Sequence, residues 1–152
     1  MSKLIKRILL GLAVALVVIQ FFRIDKTNPP VEATQDFLNI AAPSAEIATL
    51  IKDACYDCHS HETKYPWYSN VAPISWMVAH HIEEGREHLN FSKWGTFSAK
   101  KRAHKIEECY EEVEKGEMPM YAYVLLHSEA KMTDEQKSAL IAWFKEREAL
   151  EK

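Results

Sequence analysis

Five consecutive residues, Cys55-Tyr56-Asp57-Cys58-His59, constrain this chain more than any other stretch. Two thiols three positions apart reach two vinyl groups on one edge of a porphyrin. A histidine directly after the second thiol then lies under the iron and offers its imidazole as the proximal ligand. The pattern C-x-x-C-H is therefore read as a site for covalent attachment of one c-type haem. Two plainer chemistries also use C-x-x-C: half of a zinc site, and a dithiol redox pair.

The rest of the composition narrows the field. Acidic and basic residues nearly balance, 22 Asp+Glu against 19 Lys+Arg for a net charge of −3, and no basic field for nucleic acid results. Three cysteines are too few for a disulfide scaffold, and the four glycines form no phosphate-cradling loop. Cys109 has no partner at a recognised spacing. It is expected to be a small buried apolar residue, with a disulfide-linked dimer as the alternative. At 152 residues the chain holds one small domain plus an appendage.

The appendage is expected at the N-terminus. Lys3, Lys6 and Arg7 precede an apolar run from Ile8 to Phe22, closed by Arg23, Asp25 and Lys26. Residues 1–23 read as a single transmembrane helix. Bulky Val17-Val18-Ile19-Gln20-Phe21-Phe22 stands where a cleavable signal wants small residues, so an uncleaved anchor is expected. The basic flank then keeps the N-terminus in the cytoplasm. That gives a single-pass protein of the inner (cytoplasmic) membrane, with the haem domain on the periplasmic side. Residues 24–43, with Asn28-Pro29-Pro30, read as an extended linker.

Residues 44–152 read as the haem domain, all-α, since no period-two alternation occurs. Ser44 caps a first helix with Ile47, Leu50, Ile51 and Ala54 on one stripe, leading straight into Cys55 and Cys58. Tyr65-Pro66-Trp67-Tyr68 follow in a loop, where Tyr65, Trp67 and Tyr68 either wall a porphyrin or pack the core. Pro73 begins a second helix, weakened in its middle by Gly85. Ser98 caps a third that runs to Lys115 and stops at Gly116. Its many charged residues read as a solvated face, or else as a patch for a redox partner. Residues 118–131 read as loop, and Thr133-Asp134-Glu135-Gln136 is a capping box for a last helix ending near Ala149.

A haem iron has a sixth position, and its ligand separates carrier from catalyst. Met118, in Gly116-Glu117-Met118-Pro119-Met120, follows a helix stop and is directed by a proline. Met120 is the first substitute. His81 shares the apolar stripe of the second helix, unlike its neighbour His80. His88, His104 and His127 read as surface or otherwise satisfied histidines. A thioether ligand closes the iron and gives an electron carrier without a small-molecule substrate. An open or weakly held site gives a haem enzyme or a gas or redox sensor.

This order of parts, an N-terminal helix ending in C-x-x-C-H, a late Met-Pro loop and a capped last helix, resembles the class I cytochrome c fold. Cys55-Tyr56-Asp57-Cys58-His59-Ser60, Tyr65-Pro66-Trp67-Tyr68, Glu84-Gly85-Arg86-Glu87-His88-Leu89-Asn90-Phe91-Ser92 and Gly116-Glu117-Met118-Pro119 resemble more closely the haem-binding domain family of small bacterial proteins. The resemblance spans roughly residues 44 to 148. It implies one covalent haem, His59 as proximal and Met118 as distal ligand, and packing of the first domain helix on the last. Within its signature stretch, Arg86 is a guanidinium able to pair a haem propionate with two hydrogen bonds. The redox partner is not supplied by the resemblance.

Overall fold

The computed structural model describes residues 2–151; Met1 and Lys152, the outer limits of the expected segments, lie outside them. Among the described residues the chain is helical, without strands. The helices are α1 (Lys3–Ile19), α2 (Phe37–Ala41), α3 (Ala45–Ala54), α4 (Tyr56–His59), α5 (Ile74–His88), α6 (Ala99–Lys115), α7 (Tyr121–Val124) and α8 (Asp134–Glu151). Short 3₁₀ turns occupy Trp67–Asn70, Phe91–Thr96 and Ser128–Ala130.

The helix ends follow from their capping residues. Ser44 accepts from the Ile47 amide at the start of α3, and Ser98 accepts from the Lys101 amide at the start of α6. Gly116 stops α6 at φ 76°, a left-handed conformation that glycine adopts without strain. Thr133 and Gln136 form the reciprocal box before α8, with Gln136 N to Thr133 Oγ1 at 3.2 Å and Thr133 N to Gln136 Oε1 at 2.9 Å. Residues 118–131 are more ordered than a plain loop, since they carry α7 and a 3₁₀ turn.

The core is aromatic. Phe37, Tyr56, Phe91, Trp94 and Phe144 are buried together with Ile47, Leu50, Ile51, Ile106 and Leu140. Tyr56 stacks on Phe91 at 5.3 Å, and Phe37 meets Trp94 edge-on at 4.6 Å. The long helices α6 and α8 lie against each other, and α3 packs on α8. At one end of the α6–α8 pair Arg102 and Arg147 both donate to the buried Glu151 carboxylate, at 2.6 and 2.8 Å.

One sequence expectation changes here. The transmembrane helix is not found: among the described residues no helix is long and apolar enough to cross a membrane. The physical reason lies at residues 20–22. Helix α1 has 17 residues, about 25 Å of rise against a hydrocarbon core of about 30 Å. Its apolar run does not continue to Phe22 as helix, because Gln20 pairs both ways with the Ala72 backbone, at 3.0 Å each, and Trp76 Nε1 donates to the Phe22 carbonyl at 2.8 Å. The single-pass, inner-membrane placement with a periplasmic haem domain rested on that span and falls with it.

The stretch 24–43, read as an extended linker, makes contacts with the domain. Phe37 is fully buried in the core, and Asp36 accepts from the Tyr56 hydroxyl. Asn28 donates to the Thr63 carbonyl, and the Gly95 amide donates to the Gln35 carbonyl. This extended path is laid across the domain.

Candidate functional site

Helix α3 delivers the motif. The chain leaves it at Cys55, whose amide still donates to Ile51 O, and turns at once into the four-residue α4. The amides of Cys58 and His59 both return to Cys55 O, at 3.3 and 2.9 Å, so both thiols and the imidazole belong to one turn. All three cysteines are free thiols. Burial pushes the Cys58 thiol up to about 11 and the Cys55 thiol up to about 12. Both are therefore protonated at neutral pH, unlike the low-pKa thiolates of dithiol oxidoreductases.

His59 is held from behind by α5. Its Nδ1 lies 2.8 Å from Gly85 O and 3.3 Å from Leu89 O. A carbonyl only accepts, so Nδ1 carries the proton and Nε2 presents a lone pair. Burial pulls the imidazole's pKa below its ordinary value, opposed by these two carbonyls, and the ring is neutral. A neutral imidazole with its far nitrogen anchored to backbone is the state a metal ligand requires. The close approach of α5 depends on Gly85, because a Cβ there would stand 2.8 Å from Cys58 O.

The two residues between the cysteines are also committed. Tyr56 points into the core and bonds Asp36. Asp57 points the other way and accepts on both oxygens. The Lys64 amide donates to Oδ1 at 2.9 Å, and the Tyr123 hydroxyl donates to Oδ2 at 2.8 Å. Tyr123 in turn stacks on the buried His127, ring centroids 4.1 Å apart. His127 Nδ1 donates to the Glu129 carboxylate at 3.1 Å, so its Nε2 accepts from the Tyr68 hydroxyl at 2.7 Å.

The other predicted residues are dispersed. Trp67 is 77 % exposed. Tyr65 and Arg86 line an open groove of about 560 Å³ with His61 and Asn90, and neither the cysteines nor His59 are among its lining residues. Arg86 donates to Ser60 O, Asn28 Oδ1 and Thr63 Oγ1, so it braces the loop behind the motif. Met118 is half-buried, with its amide on Glu112 O at the end of α6. Met120 is half-buried too, and its carbonyl accepts from the amides of Tyr123 and Val124. Among the histidines weighed for the sixth position, His127 has both ring nitrogens engaged, and His104 faces Glu107 and Glu108 on α6. His80 pairs with Glu84, while His81 is half-buried.

Asp57 and Tyr123 were given no role by sequence, and His127 was read as a surface or otherwise satisfied histidine. No spacing could have marked Tyr123, which meets Asp57 from 66 positions away. Gly85 read in the sequence only as a weak point of the second helix, and its contact with Cys58 emerges from the fold.

A family model described as "Haem-binding domain" matches residues 14–146. The chain belongs to the haem-binding domain family. The match begins inside α1 and runs through residues 24–43, in keeping with the packing of that stretch. Comparison with curated proteins and with solved structures returned no match, so the broader likeness to class I cytochromes c stands without one. The chain is thus a haem-binding protein, and its motif suits the group. Two free thiols on one turn, a neutral imidazole with an available Nε2, and a helix brought close by a glycine are the donor set haem attachment uses. Among the described residues no group of three or more His, Cys, Asp or Glu is arranged to hold a metal ion.

Proposed function

We propose that the protein is a monohaem c-type cytochrome that passes electrons one at a time between partner proteins and has no small-molecule substrate of its own. In this reading Cys55 and Cys58 hold the haem through thioether bonds, His59 is the proximal ligand and Met118 the distal one. The observation that carries it is the hydrogen bond from His59 Nδ1 to Gly85 O, which fixes the tautomer and leaves the lone pair on Nε2. Bound haem supplies an iron that cycles between ferrous and ferric states. The protein's part is to keep His59 neutral, to hold both thiols on one turn, and to offer a thioether that raises the reduction potential and closes the iron.

The test is expression together with a c-type haem attachment system, followed by a pyridine haemochrome assay on denatured, extracted protein. One covalently retained haem per chain is expected, lost when both Cys55 and Cys58 are changed to Ala. Haem that is bound but extractable would remove the c-type assignment while keeping haem binding. In the oxidised protein Met118→Ala should abolish the far-red thioether-to-iron band. Survival of that band would dismiss Met118 and turn attention to Met120.

A further inference from the structure

Asp57, one of the two residues between the thiol positions, has a job that neither haem attachment nor iron ligation explains. Asp57 is half-buried, and its two carboxylate oxygens are taken by donors from two separate segments. One is the Lys64 amide of the loop that leaves the motif. The other is the Tyr123 hydroxyl of α7, the helix that directly follows Met118-Pro119-Met120. The Tyr123 amide is itself bonded to Met120 O at 2.9 Å. Two hydrogen bonds and one tyrosine therefore lead from the haem motif to the methionine loop. A second tie runs parallel: His127, under the Tyr123 ring, accepts from the Tyr68 hydroxyl in the loop beyond the motif. At its other end the loop hangs from α6 through Met118 N to Glu112 O.

We propose that Asp57 is a clamp that registers the methionine loop on the haem-attachment turn, with Tyr123 as the positioning residue that carries the tie. This rests on reading Cys55–His59 as the haem turn. A flexible loop reaches an iron only part of the time, and holding it in place raises the effective concentration of the thioether at the sixth position. The bond is charge-assisted and part-buried, the kind whose loss is felt most. Burial, with the Asp57 bond second, also raises the Tyr123 phenol far above its ordinary range, so it remains a donor at any ordinary pH.

Tyr123→Phe tests this. It removes one hydroxyl and keeps the ring, the His127 stack and the backbone bond to Met120. Haem should attach covalently in full yield, because Cys55, Cys58 and His59 are untouched. The sixth ligand should then come off more readily, so that carbon monoxide binding to the ferrous protein accelerates roughly ten- to a hundredfold over wild type, the factor a charge-assisted hydrogen bond is worth. Asp57→Ala should give the same acceleration, and the double variant no more than either single one. Equal binding rates in haem-loaded wild type and Tyr123→Phe overturn the clamp. If wild type attaches no haem, the cytochrome reading fails and the clamp is judged on the haem-free protein. There Tyr123→Phe should speed backbone hydrogen exchange in residues 120–127 by a similar factor, and unchanged exchange rejects it.

Discussion

At the scale of single residues, the C-x-x-C-H pattern of Cys55, Cys58 and His59 was visible because spacing alone defines it. What surrounds them was not legible, since the partners of His59, Tyr56 and Asp57 lie on α5, at residue 36 and on α7. Those contacts come from tertiary packing, which no local pattern encodes. The same packing sets the reactivity of the thiols. Because burial raises Cys58 to about 11 and Cys55 to about 12, the thiolate is the minor species at neutral pH. Iodoacetamide should therefore alkylate Cys58 of the haem-free protein at pH 8 roughly two orders of magnitude more slowly than a free cysteine of pKa about 8.5. The rate should climb about tenfold per pH unit until the pH approaches 11. Mass spectrometry of the quenched reaction measures it. Rapid labelling at neutral pH would mean an exposed thiolate and would revive the dithiol redox alternative.

At the scale of elements, helix starts and stops were readable wherever a side chain makes the cap. Ser44, Ser98, Gly116 and the Thr133–Gln136 box stand where the pattern puts them. The second domain helix was harder, because Gly85 reads as a weakness when only propensity is considered. In the fold it is the contact point between α5 and α4. Gly85→Ala would place a Cβ 2.8 Å from Cys58 O and 3.3 Å from Cys58 Cβ. The gain in helix propensity is about 1 kcal/mol, and overpacking against backbone costs about 1–3 kcal/mol. A net loss of about 0–2 kcal/mol in urea unfolding is expected, together with poorer haem attachment as Gly85 O moves off His59. Gly11→Ala in α1 is the control, since nothing lies within 4 Å of its added Cβ. A stabilisation of Gly85→Ala equal to that of Gly11→Ala would show that α5 does not press on the motif.

At the scale of the molecule, the transmembrane anchor was where sequence and structure parted. Hydropathy counts apolar residues but cannot see that Gln20 and the Phe22 carbonyl are bound by the start of α5. Prolines at 29 and 30 forbid helix and invite the word linker. An extended segment can still be packed, and this one delivers Phe37 into the core. Phe37 is fully buried, with ring centroids 4.9 Å from Phe91, 4.6 Å from Trp94 and 5.9 Å from Trp143. It therefore joins the 3₁₀ turn at Phe91–Thr96 to α8, and Tyr56 of the motif stacks on the same Phe91. Removing a phenyl ring from such a site leaves a cavity, and Phe→Ala changes in cores cost about 3–5 kcal/mol. That is a large share of the about 5–15 kcal/mol that holds an ordinary domain together. Phe37→Ala is expected to lower urea stability by that amount and to loosen Tyr56 beneath the haem turn, seen as increased near-ultraviolet disorder around the aromatic cluster. A loss below about 1 kcal/mol would instead return residues 24–43 to the role of a tether and place the start of the folded unit after them.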